Sequence, residues 1–199
     1  MNDQAIGLVR ASFRHAKFLS IGLGISMVLL AGSAEAAAQD ENLVVPIPAG
    51  FKVVTQSHDD RVALTEMVPN AESAGQWTQM VTTQIYFGKQ GLSFDTYKAD
   101  MEQRWKAGCD ATASAPVAAA KENGYDFRIW LQSCRFNDPS RPPESAWFKM
   151  IQGNDNTYIV QVTSHVEMAP SLVKQWMLYL QRVMVCDARL QQLACPASR

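Results

Sequence analysis

Residues 121–134, KENGYDFRIWLQSC, decide the fold. Asn123-Gly124 is among the strongest short signals for a two-residue hairpin turn, so residues 113–120 and 125–134 on either side read as paired antiparallel strands. Successive side chains of a strand point to opposite faces. Tyr125, Phe127, Ile129 and Leu131 therefore share one face, and Asp126, Arg128, Trp130 and Gln132 the other. Both faces carry aromatic bulk, which predicts a strand covered from both sides.

The neighbouring segments supply that cover. Upstream, residues 51–56 and 61–68 are β-prone runs around the turn formers Ser57, His58, Asp59 and Asp60, and read as a hairpin. WTQMVTTQIYF at 77–87 reads as a long strand. Ser93 then caps a helix in which Phe94, Tyr97, Met101 and Trp105 recur at helical spacing, with Gly108 as its stop. Downstream, 137–145 (NDPSRPPES) is a proline-rich loop, and 146–152 and 157–165 form another hairpin about Gly153-Asn154-Asp155-Asn156. Pro170 and Ser171 start a last helix whose apolar stripe takes in Leu172, Val173, Trp176, Leu180, Val183 and Met184. NLVVPIPAG at 42–50 reads as an edge lead-in, because Pro46 and Pro48 cannot donate to a central ladder. The predicted class is α+β, an antiparallel β-sheet of hairpins sandwiched by two amphipathic helices.

Residues 18–38, FLSIGLGISMVLLAGSAEAAA, follow Arg10, Arg14 and Lys17 and end in small residues, the layout of a secretory signal peptide. The run is diluted by Ser20, Gly22, Gly24 and Ser26 and falls short of the roughly 20 apolar residues of a spanning helix. Residues 1–36 are therefore expected to be removed near Ala36 or Ala38, leaving a single domain over 39–199, periplasmic or secreted by the general secretory route, without a stable membrane anchor. An uncleaved N-terminal anchor is the alternative. Ser33 stands where a lipoprotein signal has its lipid-bearing cysteine, so no lipid anchor is expected.

Cleavage after Ala36 removes three of the 18 basic and two of the 19 acidic side chains, leaving 15 against 17. That balance gives no electrostatic reason to expect nucleic acid as a partner. Cys109, Cys134, Cys186 and Cys195 are even in number, which in an exported chain reads as two disulfides. Three pairings are possible. Cys109 with Cys134 and Cys186 with Cys195 is favoured, the second closing a short loop after the last helix.

No catalytic, cofactor or metal constellation stands out. Ser171-Leu172-Val173-Lys174 matches S-x-x-K, but the partner motifs of penicillin-recognising enzymes are missing, and Ser171 reads as a helix-start residue. His58, Asp59 and Asp60 suit a metal or acid-base set and, more simply, a polar turn. Glu66 shares a strand face with Val62, Leu64 and Val68, so an inward face would oblige a partner such as Arg128 or Lys149. Ser164 and His165 are sequence neighbours on opposite strand faces and cannot pair as nucleophile and base by themselves. Glu66, His58 and His165 are the residues an enzymatic reading would use.

IPAGF at 47–51, TEMVP at 65–69, the strand 77–87 and the hairpins ending in a C-terminal helix resemble a PsbP/Mog1-like domain. The resemblance implies an antiparallel sheet between helices and an accessory or protein-binding role. The expected function is a non-catalytic envelope module with an envelope protein as partner, the 139–145 loop and an exposed sheet edge being its candidate contacts. The alternative is a small periplasmic hydrolase or ligand-binding enzyme. The export reading has a direct check: N-terminal sequencing of the exported protein is expected to begin at Ala37 or Gln39, and an intact Met1 would establish the anchored form instead.

Overall fold

The computed structural model describes residues 6–8, 41–88, 92–190 and 195. The apolar run at 18–38, with the cleavage positions read from it, lies outside the described residues. No helix among the described residues is long and apolar enough to cross a membrane.

Seven strands make one antiparallel sheet. They are β3 (Phe51–His58), β4 (Val62–Pro69), β5 (Gln79–Tyr86), β6 (Ala111–Glu122), β7 (Tyr125–Arg135), β8 (Glu144–Gln152) and β9 (Thr157–Ser164), in the spatial order β3-β4-β5-β9-β8-β7-β6. The β6–β7 turn is the one its sequence specifies, with Asn123 at φ 48° and Gly124 at φ 76°. Two consecutive left-handed residues are what a type I′ turn requires.

Helix α1 (Phe94–Gly108) follows β5 and carries the chain across the sheet to its far edge at β6. Ser93 caps it by accepting the Thr96 N–H at 3.1 Å. Phe94, Tyr97, Met101 and Trp105 pack on Trp130, Phe148, Met150 and Ile159. Helix α2 (Pro170–Arg182) lies on the other face, where Trp176, Tyr179 and Leu180 meet Val81, Trp147, Tyr158, Val160 and Val162. The alternation read in 125–132 is thus the division between two packed layers: Tyr125 and Ile129 belong to the α2 side and Trp130 to the α1 side.

A smaller sheet departs from the sequence reading. It has the order β1-β2-β10, with β1 (Ile6–Leu8), β2 (Glu41–Pro46) and β10 (Met184–Asp187). In the full-length chain the lead-in expected along an edge is its middle strand, Pro46 being the last residue of β2 and Pro48 lying beyond it. Without residues 1–36, which include β1, β2 pairs with β10 alone and is an edge, as expected. Val183 and Met184 do not continue the last helix. Val183 is its C-terminal cap with extended backbone, and Met184 opens β10. The disulfides join Cys109 to Cys134 and Cys186 to Cys195.

Lys149 of β8 is 1% exposed, although the neighbouring strand positions are apolar. Its ammonium donates to the carbonyls of Leu180 (2.9 Å) and Val183 (2.7 Å) at the end of α2, and pairs with Glu122 at the end of β6. It also lies 4.7 Å from the centre of the Phe127 ring. A cation at a helix C-terminus meets both the unpaired carbonyls and the negative end of the helix dipole. Removing one partner of a buried pair leaves the rest uncompensated, so Lys149→Ala is expected to cost roughly 3 kcal/mol of unfolding free energy in urea. Lys149→Met, which keeps the packing stem, is expected to cost less; equal losses would mean that the charge alone holds this point, and a negligible loss in Lys149→Met would mean that packing and not the charge does.

Candidate functional site

The sheet register separates the residues an enzymatic reading would bring together. His58 is exposed at one end of the sheet, in the row of Ala63, Ile85 and Tyr158. Asp59 beside it closes the turn by accepting the N–H groups of Arg61 (2.7 Å) and Val62 (2.8 Å), which hold its carboxyl below the usual range. Glu66 lies mid-sheet, half-buried, in the row of Thr82 and Gln161. Arg128 and Lys149, its possible partners from the sequence, are engaged elsewhere: Arg128 with Asp95 at 2.6 Å and Lys149 with Glu122.

His165 is at the opposite end, just past the Ser164–Gln79 pair. Its ring stacks on Trp77 at 4.0 Å, with Nδ1 3.3 Å from the Trp77 carbonyl oxygen and Nε2 3.3 Å from Glu144 Oε2. Both contacts are made together when the imidazole carries two protons. The Ser164 hydroxyl is directed away into its own turn, donating to the Val166 carbonyl at 3.0 Å. Ser171 lies in the first turn of α2, which Ala169 precedes as cap and Pro170 opens.

A polar junction missed in the sequence joins the two sheets. Glu41 at the start of β2 is 5% exposed, and its carboxylate accepts the backbone N–H groups of Asn154, Asp155 and Asn156 and the Tyr158 hydroxyl at 3.0 Å. Gly153 permits this approach, since a Cβ there would run into the Glu41 carboxylate. Glu41, Asp155 and Asp187 place ligand oxygens within 4.8 Å of one another, the one acidic group among the described residues with metal-like spacing. The Arg189 guanidinium already spans it, pairing with Asp155 and, at 2.7 Å, with Asp187. The cluster is a hydrogen-bonded latch between β2, β10 and the β8–β9 turn, with Arg189 on two of its carboxylates and backbone N–H groups and the Tyr158 hydroxyl on the third. Only the Gly-Asn-Asp-Asn turn advertised it, and a turn alone does not name the carboxylate it will bind.

The third feature is the proline loop. Residues 137–143 are exposed throughout, and hydrogen bonds tie the first part of the loop, 137–141. The Asn137 N–H donates to Asp110 Oδ2 at 2.8 Å, Asp138 accepts the Ser140 N–H at 2.9 Å and its hydroxyl at 2.7 Å, and the Arg141 guanidinium lies 3.5 Å from the Phe136 ring centre. The Cys109–Cys134 disulfide anchors the root of the loop. Beside it runs the outer strand β6, of which Thr112 and Glu122 alone are half-buried and Val117 is 42% exposed.

The latch generates a pH dependence. Asp187 is 1% exposed, and Arg189 holds its carboxyl below the ordinary 3.8. A carboxyl whose folded pKa is depressed adds stability above its unfolded pKa and loses it as pH falls through the folded value. The melting temperature is expected to drop on acidification below about pH 4. Asp187→Asn should melt lower at neutral pH and show a shallower acid decline; parallel declines would remove Asp187 from the acid transition.

No family model and no curated protein matches the sequence. Among solved structures, cyanobacterial PsbP (CyanoP) from Synechocystis superposes with a TM-score of 0.51 at 9% identity, covering 78% of this chain and 98% of that one. LpqN of Mycobacterium tuberculosis, described as involved in cell envelope biogenesis, aligns over 76% of this chain and 86% of its own at 9% identity, with a TM-score of 0.33. At that score the LpqN overlap carries no weight. The CyanoP superposition, with the sheet order and the two covering helices, makes the fold PsbP-like.

Proposed function

We propose that this chain is an exported, non-catalytic binding module of the cell envelope, and that it meets a protein partner through the 137–143 loop and the adjoining start of β6. The observation that carries this reading is the loop itself: fully exposed, proline-rich and tied at several points by Asp110, Asp138 and the Arg141–Phe136 stack. A contact segment ordered before binding loses less conformational entropy on association than a flexible one. Edge strand β6 supports it, because an unpaired strand edge offers backbone donors and acceptors to an extended partner. The alanines of β6 leave room beside that edge, and Pro116 with the bulge before Ala118 limits indiscriminate pairing. Two disulfides fit an oxidising compartment. The separation of His58, Glu66 and His165 along the sheet favours binding over hydrolysis.

A photo-crosslinking side chain placed at Ser140 in intact cells tests this. One reproducible protein adduct is expected, lost when residues 139–143 become a Gly/Ser linker while the melting temperature holds. An adduct-free Ser140, together with hydrolytic activity abolished by Glu66→Gln or His165→Gln, would overturn the binding reading in favour of an enzyme.

A further inference from the structure

Strand β2 is paired on both sides in the full-length chain. On one side Met184–Asp187 of β10 pair with it; on the other stands β1, with Ile6 opposite Pro46, Gly7 opposite Val45 and Leu8 opposite Val44. β1 belongs to the residues read as removed on export. Its loss opens the edge of a strand whose Leu43 (3% exposed) and Val45 (5%) are core residues on the α2 side.

The hydrogen bonds around the second sheet show which backbone groups that edge presents. The Val185 carbonyl accepts Asn123 Nδ2 at 3.2 Å, and the Glu41 carbonyl accepts the Tyr158 hydroxyl at 3.3 Å, so both are taken by side chains and not by the β2–β10 ladder. In antiparallel pairing, residues that bond the neighbouring strand alternate with residues that face away from it. Leu43 lies opposite Val185 and two residues on from Glu41. Leu43 and Val45 therefore turn their N–H and C=O groups away from β10, to the side where β1 stands. Neither is a proline, so each offers a donor and an acceptor.

The other edges of the fold are guarded and this one is not. β6 has Pro116 and a bulge before Ala118, and β3 has Lys52 and a bulge between Val53 and Thr55. Such devices blunt a strand edge against pairing. Residues 42–45 contain no proline and no bulge, and no charged side chain occurs from 42 to 51. β1 shows what the edge accepts: an antiparallel strand with aliphatic residues opposite Val44 and Pro46 and glycine opposite the core residue Val45. We infer that the β2 edge of the exported protein docks an extended, uncharged aliphatic segment of another protein, added as a strand in the place β1 takes in the full-length chain. Main-chain bonds to Leu43 and Val45 hold such a strand, and the absence of charge around it selects its composition. The inference rests on the export reading, since removal of β1 is what opens the edge, and it is separate from the proline-loop contact.

The test is titration of the isotopically labelled exported protein, its N-terminus fixed by mass, with a synthetic peptide of residues 3–11 (DQAIGLVRA), read by NMR at the Leu43 and Val45 backbone amides. Saturable shifts there are expected, with an apparent Kd on the order of 1 mM. A Gly7→Pro peptide, which lacks the N–H opposite Val45, and a Leu8→Asp peptide, which brings a charge opposite Val44, should each bind about tenfold more weakly. The uncleaved chain, with β1 in place, should show no shift at these amides. On cleaved protein, no saturable shift, shifts confined to the β3 or β6 edge, or equal binding of the Gly7→Pro peptide would overturn the proposal and leave the export reading intact. Concentration-dependent dimerisation that moves the same two amides without peptide would assign the edge to a second copy and overturn it equally. An exported protein that retains residues 1–36 would overturn both readings together.

Discussion

The ammonium of Lys149 is the point on which the rest of this architecture hangs. It reaches from β8 through the α2-side core to the last carbonyls of α2 and to Glu122 at the end of β6. Ending α2 there has consequences along the chain. Once Leu180 and Val183 have spent their carbonyls on Lys149, the backbone turns extended at Val183 and Met184 enters β10. Pairing of β10 with β2 then brings Asp187 opposite Glu41. One buried cation thus fixes where the helix stops, and so where the second sheet begins.

The same economy of charge recurs at the sheet junction. Glu41 is surrounded by three backbone N–H groups of one turn and a buried tyrosine hydroxyl, while Asp155 and Asp187 share one guanidinium. Buried carboxylates persist only when each is paired or hydrogen-bonded. Here every one of them is, and the cluster reads as structure before it reads as a metal centre.

The likeness to CyanoP shows the fold alone, and the fold does not name a function. The first contact surface proposed above is the proline loop beside β6. It lies at the end of the sheet stapled by Cys109–Cys134, the disulfide that holds β7 to the end of α1. His58 lies in a row at the other end of the β3–β4–β5–β9 ladder, and Glu66 is mid-row, half-buried on the polar strip with Thr82 and Gln161.

The α+β class, the hairpin at Asn123-Gly124, the two helices and the two-faced character of residues 125–132 were legible in the sequence, because each rests on local periodicity or turn chemistry that neighbouring residues specify. The disulfide pairing was one of three possibilities, favoured from loop length and settled only by the packing of α1 on β7. The second sheet, the Lys149 clasp and the Glu41 junction were not legible. Each brings together residues distant in sequence, such as Glu41 with Asp155 or Lys149 with Val183. A lysine or glutamate in a strand looks the same in sequence whether it faces water or a helix end. Sequence alone determined the strands of the large sheet and the two helices; the tertiary structure decided the second sheet, which polar groups are buried and what they must bind, because these depend on the elements that close over a residue and not on the residues beside it.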